Sequence, residues 1–271
     1  MEQCKRITSA LVILPPLVLF LYKAPLYLFL ILVLLLVSLS LREYLQLLAI
    51  IQLPVCAKMS YTVAFLLVLT ASTGGERWMP RALSLGIVVL AVGVMMTAQS
   101  GSHRFPALLH SLFGILFIGW SLSYLILLRR LPGGQWYILF LCTIIWVGDS
   151  TAMYVGKILG RHKMAPTISP GKTWEGTVGC IFGCLLAAVF GARFLMPRFA
   201  LWQNLVLGLV ISLAAQISDL SESLIKRYAG VKDSGELIPG HGGLLDRIDS
   251  VLFAAPVFFY TLDLLAQVSS S

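Results

Sequence analysis

The chain reads as an all-α, polytopic integral membrane protein of about nine transmembrane helices, with a polar cavity facing the cytosol. Three observations point there. Of the 271 residues, 58% are hydrophobic and only 12% charged, and the mean hydropathy is +0.90. Apolar runs recur from end to end, and a bilayer-crossing helix needs about 20 such residues. The remaining charge is gathered rather than spread: residues 218–249 carry ten of the 32 Lys, Arg, Asp and Glu side chains.

The spans follow in order. Residues 1–22 open with Lys5 and Arg6 and run into LVILPPLVLFLY. This resembles a secretory signal, but no small-residue cleavage site follows, so it reads as a retained helix broken or kinked at Pro15-Pro16. Residues 25–41 form the second span. Residues 42–53 (REYLQLLAIIQL) are amphipathic and are expected to lie at the membrane interface. The run at 60–71 is short for a span. Gly74-Gly75 and Pro80 mark a loop. Spans at 82–98, 105–128, 135–148, 177–195, 203–220 and 251–268 complete the nine. No sequence repeat is present, which argues against a transporter built from paired halves.

The formal charge of +8 and pI of about 9.4 raise nucleic acid as a partner. No basic face with interleaved aromatics exists outside the spans, so nucleic acid is excluded. Anionic headgroups and phosphorylated substrates account for the charge better. With nine spans, the amino terminus and the even-numbered loops share one side, which holds thirteen of the twenty Lys and Arg residues. That bias makes it the cytoplasmic side. Cysteine is uninformative: Cys180 and Cys184, beside Gly179 and Gly183, read as close helix packing.

The charged stretch 218–249 interleaves both signs. Asp219, Glu222, Asp233, Glu236, Asp246 and Asp249 supply carboxylates; Lys226, Arg227, Lys232 and Arg247 supply cations; His241 adds an imidazole, among five glycines. Such a mixture suits a ligand that itself has both signs, a phosphate chain carrying a divalent metal. Mg²⁺ takes hard oxygen ligands, commonly one or two carboxylates plus substrate phosphates. Lys and Arg neutralise the remaining phosphate oxygens. Asp246 and Asp249, three apart, share a helical face, as do Asp219 and Ser223, four apart. A merely solvated loop would not need this acidic pairing or this glycine spacing.

A second polar segment, 146–176, reads WVGDSTAMYVGKILGRHKMAPTISPGKTWEG. Asp149 ends an apolar run, and an ionisable residue there is a functional candidate. The GKT in SPGKTWEG lacks the first glycine of a P-loop and follows no strand, so a Walker A site is rejected.

Ser223, Lys226-Arg227, Lys232-Asp233, Gly235, Ile238-Pro239, His241-Gly242-Gly243, Asp246-Arg247 and Asp249 together resemble the signature of phosphatidate cytidylyltransferases, the CDP-diacylglycerol synthases. The match covers about 27 residues with each fixed position filled, and SPGKTWEG is similar to a second element of that family. The resemblance implies transfer of a cytidylyl group from CTP to phosphatidic acid, with Mg²⁺ in a two-cation site. On that reading Asp219, Asp246 and Asp249 are metal ligands, with Asp149 next. Lys226, Arg227, Lys232, Arg247 and Lys172 clamp phosphate. Thr173, Gly242 and Gly243 contact substrate, and Ser223 positions a substrate phosphate or completes a metal shell. His241 contacts phosphate or caps its turn, and Asp233 and Glu236 are ligands or salt-bridge partners. The chain is then a single domain over 1–271: scaffold and dimerisation spans in 1–130, and catalytic spans in 131–271 carrying segments 149–176 and 218–249. CTP, phosphatidic acid and membrane lipids are the expected partners, with a homodimer permitted and the active site cytosolic in the cell membrane. The rival readings are a membrane nucleotidyl- or phosphotransferase with another lipid or isoprenoid acceptor, and a transporter.

Overall fold

The structure, a computed structural model, describes residues 15–96, 101–235 and 242–270. They form a bundle of nine helices among the described residues: α1 (15–23), α2 (Leu26–Ile50), α3 (Ala57–Thr73), α4 (Met79–Met96), α5 (Gly101–Arg130), α6 (Gly134–Leu159), α7 (Trp174–Phe194), α8 (Leu201–Tyr228) and α9 (Leu245–Ser270). Seven are long and apolar enough to cross a membrane, and α3, at 17 residues, is a shorter apolar helix. The all-α, multi-pass character is therefore present; the seven crossing helices are counted among the described residues, and most of the first expected span, 1–22, lies outside them.

Each helix begins and ends for local reasons. Pro25 caps α2 in an extended conformation and separates it from α1, since a proline lacks the N–H that would continue the ladder. Gly75 and Gly133 adopt positive φ, of 70° and 78°, and turn the chain before α4 and α6. Thr173 caps α7, its Oγ1 accepting from the Gly176 amide at 3.1 Å. Between α6 and α7 a small antiparallel hairpin forms from β1 (Lys163–Ala165) and β2 (Ser169–Thr173).

The helix α5 is the hub. Leu122, Tyr124, Ile126 and Leu128 are all completely buried, so its second half is enclosed on every side rather than on one stripe, whereas Phe105, Leu109 and Phe113 in its first half are exposed. Gly119 lets α3 approach: a Cβ there would lie 2.7 Å from the Ala64 Cβ. A π-helical segment, Ile115–Trp120, interrupts α5. Along α6 and α7 the contact is again made by small residues. A Cβ on Gly183 would meet Thr151 Oγ1 at 2.2 Å, and one on Gly148 would meet Cys184 Sγ at 2.5 Å. Close backbone approach of this kind replaces the hydrophobic driving force that lipid removes, and it places Cys180 and Cys184 inside the bundle as packing residues.

Long-range hydrogen bonds sort the helix ends into two sets. At one end Arg129 donates to the carbonyls of Leu21 (2.8 Å) and Ala24 (2.6 Å), and Arg130 to those of Ala71 and Ser72 (2.9 and 2.7 Å). At the other, Tyr44 Oη donates to His110 O (2.9 Å) and the Cys56 amide to Ser111 Oγ (2.8 Å). Both polar segments lie at this second end, where Lys172 Nζ stands 2.7 Å from Asp219 Oδ2.

Three expectations are corrected. Residues 42–50 are not a separate interfacial helix: they continue α2, with Glu43, Tyr44, Leu47 and Leu48 buried in the bundle. The helix α6 runs eleven residues beyond Gly148, so Asp149 sits within a helix rather than at its end. Likewise α8 runs to Tyr228 rather than Leu220, which makes Glu222, Ser223, Lys226 and Arg227 helical.

Candidate active site

The site is built on one face of α8. Asp219, Glu222, Ser223 and Lys226 recur at three- and four-residue spacing, so they stand above one another on the helix. Glu222 is fully buried, and Ser223 and Lys226 are nearly so. Lys226 Nζ lies 2.5 Å from both Glu222 Oε2 and Asp246 Oδ1, a cation shared by two carboxylates. Ser223 Oγ donates to Asp219 Oδ1 at 3.4 Å. Beneath this face Ser218 Oγ donates to the Asp249 carbonyl and accepts from the Phe253 amide (3.3 Å), fixing α8 against the first turns of α9.

Asp246 organises the turn before α9. Its Oδ2 accepts from the Ser234 amide (2.9 Å) and the Gly243 amide (3.0 Å), with Ser234 Oγ also at 3.0 Å. Gly242, at φ +80°, gives the turn its shape. Glu43, 4% exposed, approaches from α2: its Oε1 accepts from the Leu244 amide and its Oε2 from the Leu245 amide, each at 2.8 Å. These N–H groups belong to the start of α9 and have no intrahelical partner, so a carboxylate there satisfies them and meets the positive end of the helix dipole.

Three carboxylates converge. Asp219, Glu222 and Asp249 each bring an oxygen within 4.8 Å of the other two. Ligands on opposite sides of Mg²⁺, at about 2.1 Å each, stand about 4.2 Å apart, so a small closure would complete a hard-cation site. Glu222 Oε1 is buried with no hydrogen-bond partner among the described residues, which leaves an oxygen available to such an ion. The donor set fits a divalent metal.

Beside the triple is a cavity of about 380 Å³ between α6, the hairpin, α7, α8 and the start of α9. Asp149, Asp219, Lys157, Lys163, Lys172 and Thr173 are among its lining residues. Three lysines and two carboxylates there leave an excess of positive charge, as a triphosphate requires.

The predicted residues thus separate by position. Asp149, Asp219, Lys172 and Thr173 line the cavity, although Thr173 Oγ1 is engaged in capping α7. Asp249 joins Asp219 in the triple, and Glu222 stands there beside them, with Asp246 held among Lys226, Ser234 and Gly243. Arg227 is exposed and donates to the carbonyls of Ile168 (3.1 Å) and Val231 (2.9 Å), tying the hairpin to the segment after α8. Lys232, Asp233 and Arg247 are exposed, and Gly243 is buried against Glu43. His241 and Glu236 lie outside the described residues. Sequence reasoning missed Lys157 and Lys163, which it used only for topology, and Glu43, which it placed at the interface. A lone carboxylate within an apolar run was the available signal for Glu43.

A sequence model described as the Cytidylyltransferase family matches residues 4–265, nearly the whole chain. The chain belongs to this family. Similar relatives are named phosphatidate cytidylyltransferase. The one from Bacillus subtilis (strain 168) is 43% identical over 153 residues, 55% of this chain and 56% of the relative. That from Staphylococcus saprophyticus is 41% identical over 146 residues, 54% of this chain and 55% of the relative. That from Brucella abortus biovar 1 is 40% identical over 182 residues, 65% of this chain and 64% of the relative. The matched stretch thus spans between about half and two thirds of each of these three relatives. Family membership agrees with the signature at 223–249, whose described charged members lie at one end of the bundle.

Proposed function

We propose that the chain transfers a cytidylyl group from CTP to phosphatidate, releasing pyrophosphate and forming CDP-diacylglycerol. The observation that carries this reading is the joining of the two polar segments: Lys172 of the hairpin meets Asp219 of α8 in a lysine-lined cavity beside three clustered carboxylates. Family membership supports the transfer chemistry, and the relatives' names support the acceptor.

The residues would act as follows. A phosphate oxygen of phosphatidate attacks the α-phosphorus of CTP, and the bond from that phosphorus to the oxygen bridging to the β-phosphate breaks. The attacking oxygen is already anionic near neutral pH, so no strong protein base is needed. Positioning and charge neutralisation are the protein's task, as in other phosphoryl transfers. Lys172, Lys157 and Lys163, all lining the cavity, would neutralise the phosphates. Asp219, Glu222 and Asp249 would hold Mg²⁺, which supplies charge stabilisation to the reacting phosphates when bound. Asp149, across the cavity on α6, is the candidate for a second cation. Arg227 holds the hairpin, and with it Lys172, against α8.

The membrane sets where the substrates meet. Each CH₂ drawn from the bilayer into water costs about 0.8 kcal/mol, so phosphatidate stays embedded, while CTP stays in water. The end of the bundle bearing the site is the one favoured as cytoplasmic by the basic-residue bias, in keeping with a multi-pass enzyme of the cell membrane.

The deciding experiment is pyrophosphate release by the detergent-purified protein with each nucleotide in turn, with and without phosphatidate and Mg²⁺. Release from CTP that requires both is expected. Release indifferent to phosphatidate, or none with CTP, overturns the reading, and a panel of lipid acceptors separates phosphatidate from an isoprenoid phosphate.

A further inference from the structure

We propose that Glu43, in the scaffold half of the chain, is a positioning residue for the active site, holding the carboxylate–lysine network in register with the nucleotide cavity. The inference rests on the function proposed above, because it concerns how that chemistry is aligned.

Glu43 is a carboxylate on a membrane helix, where an ionised group persists only with compensating partners. Its hydrogen-bond partners among the described residues are not cations. They are the Leu244 and Leu245 amides, each at 2.8 Å, and the Ser234 hydroxyl at 3.0 Å. The surroundings are shaped to admit it. A Cβ on Gly243 would fall 2.5 Å from Glu43 Oε2, and one on Gly235 would fall 3.0 Å from Oε1. Larger residues at these two positions would push the backbone away from the carboxylate.

From Glu43 the contacts run without a break to the reacting centre. Ser234 Oγ stands 3.0 Å from both Glu43 and Asp246, and its single proton serves one of them at a time. Asp246 contacts Lys226, Lys226 contacts Glu222, and Glu222 belongs to the triple with Asp219 and Asp249. The other route is the helix itself. Glu43 holds the first amides of α9, and the opening turns of α9 carry both Asp246 and Asp249. One side chain on α2 therefore sets the position of two carboxylates, through contacts with Ser234, Leu244 and Leu245 that lie 191 to 202 residues away in sequence. A general stabiliser of the bundle would need none of this aim toward a single helix end.

The test uses the full chain in detergent with Glu43→Gln. Glutamine keeps the length and volume but offers one acceptor oxygen, and its NH₂ must face a donor. Backbone hydrogen exchange at 243–246 is expected to speed up by roughly tenfold, the loss of a charge-assisted hydrogen bond. Exchange along α7 should stay unchanged. The kcat for cytidylyl transfer should fall by at least roughly tenfold while KM for CTP changes by less than about twofold, the pattern of a group that acts on alignment rather than on binding. Ser234→Ala, which keeps both amide caps, should give the same pattern at smaller size, and it serves if Glu43→Gln does not fold. Unchanged exchange at 243–246 overturns the proposal, as does faster exchange throughout the bundle, or faster local exchange with full turnover. If the wild-type protein transfers no cytidylyl group, the function assigned above fails on its own, and local exchange still decides whether Glu43 holds α9.

Discussion

Replacing Lys226 by Met should destabilise the protein more than any other single change at the site. Lys226 Nζ lies 2.5 Å from both Glu222 and Asp246, and the Glu222 side chain has no exposed surface. Removing one partner of a buried ion pair costs about 3–5 kcal/mol, because the remaining charge is stranded. Here the two carboxylates are not stranded equally. Asp246 keeps the Ser234 and Gly243 amides, whereas Glu222 Oε1 has no donor among the described residues. The greater part of the penalty therefore belongs to Glu222. Adding Glu222→Gln to Lys226→Met should recover part of the loss, with a coupling of about 0.5–3 kcal/mol between the two sites. Equilibrium unfolding in mixed micelles of the wild type, both single variants and the double variant measures every corner of this cycle. A Lys226→Met loss below about 1 kcal/mol, the value of an exposed pair, would refute the burial argument. So would an absence of coupling.

Further predictions follow from other contacts. Asp219→Asn and Asp249→Asn should each leave unfolding nearly unchanged, yet lower cytidylyl transfer by more than the roughly 10–100-fold typical of losing an outer-shell metal partner; Mg²⁺ titration of pyrophosphate release measures this. Gly183→Val should destabilise by about 1–3 kcal/mol or more through overpacking, since even its Cβ would fall 2.2 Å from Thr151 Oγ1 and force α6 and α7 apart. Thr173→Ala should cost about 1 kcal/mol by uncapping α7, whereas Thr173→Ser should keep both stability and turnover, because the hydroxyl bonded to the Gly176 amide is retained.

Much of the bundle was legible because apolar runs of bilayer length leave few alternatives to a helix. The helix ends at the site were not. In 135–148 and 203–220 the runs stop where the first carboxylates appear, so α6 and α8 read as ending there. Hydropathy registers what a side chain would cost in lipid, whereas a helix continues wherever its charges find partners. Lys226 is shared by Glu222 and Asp246 inside the bundle, and Lys172 meets Asp219 at the cavity. The backbone of α8 can therefore stay helical for eight residues past Leu220, to Tyr228.

One half of the site was concealed in the sequence for a related physical reason. The spacing of Asp219, Glu222, Ser223 and Lys226 is a local pattern, and a helical period gathers them without knowledge of the rest of the fold. Glu43, Lys157 and Lys163 have no such pattern. Glu43 sits in an amphipathic stretch whose period fits an interfacial helix as well as a buried one, and its partners lie 191 to 202 residues away. What distinguishes the buried case is the pair of glycines facing it, Gly235 and Gly243, which makes sense only when both strands of the chain are in place. A lone carboxylate in an apolar run and a distant turn with glycines on both sides are each ambiguous alone; their chemistry is complementary, an acceptor without donors and backbone donors without acceptors. Matching such unpaired needs across a sequence is a physical search that neither hydropathy nor motif spacing performs, and it leads directly to the α2–α9 contact seen here.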